Sequence, residues 1–195
     1  MLCVSEILKM EINETHRVST NKTNMRIALF GKTIAPENGE YMRQLFVKLS
    51  DNQVEMTIYK PFADIVASYV PEGVQYGVFN SHADLKSDLL FSIGGDGTII
   101  DTVPFVLNSG IPVVGINMGR LGFLSSISKN EIDMAVNSVL TGDYTVEQRS
   151  LLELVSPEKV FEDVKYALNE LNVIRNPEHS LLAIKVFVDD VYLNT

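Results

Sequence analysis

The uncharged run Leu89-Leu90-Phe91-Ser92-Ile93 constrains this chain most. It reads as a central strand buried on both faces, which requires helices above and below the sheet. The flanking pattern supplies them. Arg26–Phe30, Val54–Tyr59 and Pro112–Ile116 read as further strands, the last with its proline at the tolerated first position. Glu37–Leu49 places Met42, Leu45, Phe46 and Leu49 at helical spacing, and Pro61–Tyr69 reads as a shorter helix. Thr98–Asn108 is helical in pattern, although Pro104 demands a late start or a kink. Ser128–Leu140 opens on a capping box, Ser128 and Glu131, and stops at Gly142.

After Gly142 the period changes. Tyr144–Val155, Val164–Leu168 and Leu181–Val188 are strand-like, and Asp189–Asp190 reads as a hairpin turn before Val191–Leu193. The expected fold class is therefore α/β, an open and mostly parallel sheet with flanking helices, followed by the start of a β-rich domain. Residues 1–24 read as a weakly patterned leader, with a short docking helix over Val4–Met10 as the alternative. Residues 25–143 read as the α/β domain, and 144–195 as the first strands of an incomplete β domain. On this reading the chain is cut short within that domain.

Composition narrows the function classes. Of 195 residues 46% are apolar, enough for a sizeable core. Acidic residues outnumber Lys and Arg by 25 to 16, a net charge of −9, which excludes a nucleic-acid-coating surface. A small anionic ligand remains compatible, because backbone N–H groups hold phosphate without side-chain charge. Cys3 is the single cysteine, so no intrachain disulfide or thiolate cage forms. His16, His82 and His179 are far apart, and no metal site is expected. The longest uncharged stretch, Thr102–Gly119, is punctuated by Pro104, Asn108, Gly110, Pro112 and Asn117, unlike a membrane span of about 20 apolar residues. No signal-peptide pattern opens the chain, so the cytoplasm is the expected location.

The chemistry-bearing motif is Gly94-Gly95-Asp96-Gly97-Thr98, between the central strand and a helix. Glycines let backbone N–H groups approach phosphate closely. A carboxylate in such a nest repels phosphate unless it orients a hydroxyl, accepts its proton or binds through a cation. Asp96 is thus the catalytic candidate. The alternative is that Gly-Gly and Asp-Gly are ordinary turn dipeptides. Neither a Walker loop around Gly31-Lys32-Thr33 nor a Rossmann fingerprint across Gly115, Gly119 and Gly122 has the required spacing.

Asn117-Met118-Gly119-Arg120-Leu121-Gly122-Phe123-Leu124 follows the next strand, and so reaches the same carboxyl edge as Asp96. Phe123 is either a base-stacking residue or core, and Arg120 either meets phosphate or is an ordinary surface arginine. Asn169 and Glu170 end a strand-like run and offer donors and acceptors suited to a base edge and ribose hydroxyls; solvated turn residues are the alternative.

These motifs together resemble the ATP-dependent NAD kinases. The resemblance rests on Gly94–Thr98, on Asn117–Leu124 with its Leu121-Gly122-Phe123, and on Ala167-Leu168-Asn169-Glu170. It implies transfer of the γ-phosphoryl of ATP, or of polyphosphate in some members, to the 2′-hydroxyl of the adenosine ribose of NAD, giving NADP. It implies Asp96 as proton acceptor, with Gly94, Gly95, Gly97 and Thr98 along the phosphate path. Phe123 would lie near the adenine, Asn117 would be a further nucleotide-binding residue, and Asn169 and Glu170 would hold the adenosine. Mg²⁺ would accompany ATP. The implied fold adds a C-terminal β-sandwich, and the implied assembly is a homodimer or homotetramer without nucleic-acid or membrane partners. A second glycine- and threonine-rich segment of the family is not found before Thr195. Diacylglycerol kinases and phosphofructokinases share similar glycine-rich aspartate segments, so a lipid or sugar kinase, or a non-catalytic nucleotide-binding fragment, is the alternative.

Overall fold

The computed structural model describes residues 3–8, 24–120, 122–125, 127–155, 165–168, 170–174 and 182–195. In chain order the strands are β1 (Cys3–Leu8), β2 (Arg26–Gly31), β3 (Glu55–Tyr59), β4 (Gly77–Phe79), β5 (Leu89–Ile93), β6 (Val113–Asn117), β7 (Ile127–Ser128), β8 (Glu147–Glu153), β9 (Tyr166–Ala167), β10 (Val186–Val188) and β11 (Val191–Asn194). The helices are α1 (Gly39–Asp51), α2 (Lys60–Val66), α3 (Asp96–Ile100), α4 (Val103–Val106) and α5 (Ile132–Thr141).

The main sheet has the order β4-β3-β2-β5-β6-β1-β8-β9, with β7 also paired to β6. Pairing is parallel from β4 through β6 to β1, and β8 and β9 add antiparallel at the far edge. The α/β expectation with a parallel sheet and flanking helices is met. β5 is buried at all five positions, as is β6. Ile27, Leu29, Phe91 and Ile93 face a core closed by α1, α2 and α5. Ala28, Phe30 and Leu90 face a second core with Ile99, Val103 and Val106 of α3 and α4. In that second core Phe30, Tyr59, Phe79 and Phe105 pack ring against ring at 4.8–5.8 Å. Each such buried side chain contributes about 1.5–3 kcal/mol, and two cores gripping one strand pair fix β2 and β5 at the centre.

Several local expectations become specific here. The Thr98–Asn108 segment is two short helices rather than one. Pro104 sits in the first turn of α4, where its missing N–H costs no helical bond. The Ser128–Glu131 capping box forms, and Gly142 ends α5 in the left-handed region at φ 73°. Asp189 and Asp190 turn the β10–β11 hairpin, both at positive φ. Two features differ from the sequence expectation. Cys3–Leu8 is a strand rather than a docking helix, because its backbone pairs with β6 and β8. β8, beyond residue 144, is hydrogen-bonded through β1 to the first sheet.

The strand order fixes the site's location. From β2 the chain runs outward through β3 and β4, then returns to β5 on the other side of β2. The switch point therefore lies between the carboxyl ends of β2 and β5, where open α/β sheets bind ligands. Gly31 is in register with Ile93, so the segments entering that crevice are Lys32 onward and Gly94 onward.

Candidate active site around Asp96

β5 continues its ladder for one bond, Gly94 N–H to the Ile116 carbonyl at 3.0 Å, and then turns into α3. Gly94 adopts φ 153°, and a Cβ there would press on Thr98, 2.9 Å from its Cβ. That glycine is demanded by the turn itself. Gly95 and Gly97 differ, since a Cβ on either would meet nothing within 4 Å. Packing within the described chain does not explain why these two positions lack side chains, and the open space leaves their backbone accessible to a ligand.

Asp96 heads α3 and reaches across to the segment after β6. Its Oδ2 accepts from Phe123 N–H at 2.7 Å. Its Oδ1 accepts from Leu124 N–H at 3.1 Å, Ser125 N–H at 2.9 Å and the Ser125 hydroxyl at 3.0 Å. Partial burial alone would raise this carboxyl. The donors from Ser125, Phe123 and Leu124 outweigh it, and the group lies below the ordinary aspartate value. Gly122 makes the approach possible, because a Cβ there would fall 2.5 Å from Oδ2 and closer still to Oδ1.

Asn117, at the end of β6, brackets the same loop. Its Nδ2 donates to the Arg120 carbonyl at 2.6 Å and to Ser125 Oγ at 2.8 Å, and its Oδ1 accepts from Gly119 N–H at 2.8 Å. The residue is 2% exposed. Both amide protons are spent on the loop, so Asn117 shapes the site from beneath. A second bracket comes from the start of α1. Asn38 donates to the Met118 carbonyl at 3.0 Å and accepts from Lys129 Nζ at 2.8 Å.

Phe123 is fully exposed, which removes the core reading left open by the sequence. Its backbone N–H is held by Asp96, and the exposed ring face is available to a ligand or partner. The structure thus brings Gly94, Gly95, Asp96, Gly97 and Thr98 together with Asn117 and Phe123. Arg120 is exposed on the same loop. Glu170 lies elsewhere. It accepts from Asn172 at 2.9 Å and lines a cavity of about 490 Å³ with Leu152, Tyr166 and Leu171, none of them from the Asp96 loop. Asn169 lies outside the described residues, as do Leu121, His16, His179 and the segment 175–180. Among the described residues no cluster of three His, Cys, Asp or Glu side chains is placed to hold a metal ion. No described helix is long and apolar enough to cross a membrane. Ser125 and Gly122 were not among the residues the sequence selected for the site. Gly122 had a signal, its place inside the Leu-Gly-Phe motif, whereas a lone serine has none.

The chain is similar to known proteins. The chain is 33% identical to the NAD kinase of Cytophaga hutchinsonii over 88% of its own length and 59% of that protein. It is 36% identical to the NAD kinase of Flavobacterium psychrophilum over 88% of its length and 60% of that protein. The chain therefore spans about three-fifths of the length of these relatives. The crystal structure of yeast NADH kinase complexed with NADH shares the fold, with a TM-score of 0.53 at 22% identity, over 68% of this chain and 41% of that one. Residues 27–144, more than half of the chain, match the ATP-NAD kinase N-terminal domain, and on that match the chain belongs to the ATP-NAD kinase family.

Proposed function

We propose that this chain carries the phosphoryl-transfer part of an NAD kinase site, moving the γ-phosphoryl of ATP to the 2′-hydroxyl of the adenosine ribose of NAD. The observation that carries the reading is one carboxylate, Asp96, tying the Gly95–Gly97 loop to the loop that presents Phe123. The open space above Gly95 and Gly97 admits a phosphate to the backbone. The exposed Phe123 ring offers a face to the adenine. Asp96 then stands where a ribose hydroxyl would meet the phosphate.

Its chemistry follows from its donors. A carboxylate held below its ordinary value is ionised at neutral pH and accepts a hydrogen bond well, but is a weak proton sink. Phosphoryl transfer through a loose transition state demands orientation more than early proton removal. Asp96 thus orients the ribose hydroxyl first and takes its proton as the phosphoryl arrives. Mg²⁺ carried by the ATP phosphates would supply charge neutralisation there, with no cluster of three described His, Cys, Asp or Glu side chains to hold it. Asn117 acts through the loop, while we assign the adenosine to Asn169 and Glu170 on their sequence motif alone. We propose residues 25–143 as the α/β domain, with β1 from residues 1–24 and β8 from residues 144–195 joining its sheet, residues 144–195 as the opening of a β domain, and a whole protein that works as a homodimer or homotetramer in the cytoplasm.

The test supplies ATP and NAD and follows NADP through an NADP-dependent dehydrogenase. NADP formation is expected. Phosphorylation of diacylglycerol or a sugar phosphate but not NAD would overturn the assignment, as would NAD binding without turnover in the full-length protein.

A further inference from the structure

The four donors on Asp96 are divided unequally. Oδ1 accepts three bonds, from Leu124 N–H, Ser125 N–H and Ser125 Oγ–H, while Oδ2 accepts one, from Phe123 N–H. A carboxylate offers about two lone-pair positions per oxygen. Oδ1 is saturated, and Oδ2 has capacity for one more donor. Ser125 is responsible for most of that asymmetry, and two independent features hold it. Asn117 Nδ2 donates to its hydroxyl oxygen at 2.8 Å, which leaves the single hydroxyl proton for Asp96. Gly115 on β6 leaves the slot Ser125 occupies, since a Cβ there would lie 2.9 Å from Ser125 Cα and 3.0 Å from its Cβ. Ser125 is 0% exposed, so no water replaces its hydroxyl without rearrangement.

We propose that Ser125 is a positioning residue that saturates Asp96 Oδ1 and so leaves Oδ2 as the acceptor for the incoming ribose hydroxyl. This deepens the NAD kinase reading and rests on it for the identity of that hydroxyl. Competing charge does not set the orientation. Asp96 makes no ion pair with a described residue; on the neighbouring elements Lys32 is paired with Asp101 at 2.6 Å and Lys129 is bound to Asn38, while Arg120 projects into solvent.

The test compares Ser125→Ala with Ser125→Cys, which keeps the volume but donates weakly. The Asp96 carboxyl is followed by ¹³C NMR titration of the chain, and turnover by NADP formation in the full-length protein. Both substitutions are expected to raise the Asp96 midpoint, to carry the acid limb of the turnover profile upward with it, and to lower kcat about tenfold with little change in the KM for NAD. An unmoved midpoint in natively folded Ser125→Ala, or full recovery in Ser125→Cys, overturns the proposal, the latter by reducing Ser125 to packing. The two readings separate cleanly. A shifted midpoint in a protein that makes no NADP sinks the proposed function and leaves the positioning intact. Unimpaired turnover in Ser125→Ala does the reverse.

Discussion

Replacing Gly122 with alanine tests the central contact of the site without touching any of its polar atoms. Gly122 carries no positive φ, and the three atoms nearest a Cβ added there all belong to Asp96. The new Cβ would lie 2.5 Å from Oδ2 and closer still to Oδ1, against about 3.4 Å for an ordinary contact, so the carboxylate must retreat by at least about 0.9 Å. Its bonds of 2.7–3.1 Å would then stretch beyond hydrogen-bonding reach for at least two donors. Hydrogen bonds to charged groups contribute about 1.5–3 kcal/mol each. Water takes over part of the loss at this partly exposed group, leaving about 1–3 kcal/mol, or roughly a 5- to 150-fold fall in turnover. Hydrogen exchange at the amides of Phe123–Ser125 should accelerate in parallel. Gly119→Ala is the control on the same loop, because its Cβ would meet only Asn117 Oδ1 at 3.9 Å. If Gly122→Ala exchanges and turns over like the parent, or if Gly119→Ala is equally damaging, the carboxylate clamp is not what holds the loop.

Asp96→Asn should weaken NAD binding as well as turnover, since its amide nitrogen would face donors where an oxygen now accepts; calorimetry showing parental NAD affinity would contradict this. Phe123→Ala should cost about 1–3 kcal/mol of nucleotide affinity through lost stacking while leaving the thermal midpoint within experimental error, because the ring is fully exposed. Glu131 is held below its ordinary value by the Ser128 hydroxyl and Ser128 N–H, as Asp96 is by its loop. Such groups contribute stability that is present above their unfolded pKa and lost as pH falls through the lowered folded one. Urea melts should therefore show stability level near neutrality and falling below about pH 4, with a shallower fall in Glu131→Gln; an identical slope would remove the capping box from the account.

What could be read from the sequence was local. β5 matches its expected limits because four apolar residues and a serine between turn signals have one solution in a two-faced sheet. The Ser128 capping box, the Gly142 stop and the Asp189–Asp190 turn are each written within four residues. β4 escaped notice because it is three residues long with Val78 half exposed. β1 escaped because its partners lie more than a hundred residues away. The site divides the same way. Asp96 and Phe123 announce themselves by type and neighbours, but the bonds joining them span 27 to 29 residues and use backbone donors. A main-chain donor leaves no mark in the identity of the residue that carries it.

That last property has a consequence for how such a site can change. At residues 123 and 124 the loop is fastened to Asp96 by main-chain amides alone, and only at Ser125 does a side chain share in the fastening. The side chain at 123 is therefore an interchangeable fitting on a fixed mount. A different ring or a polar group can be tried there against another base while the grip on Asp96 stays the same. The geometry separates what the site recognises from where it reacts, and lets the first drift while the second is kept.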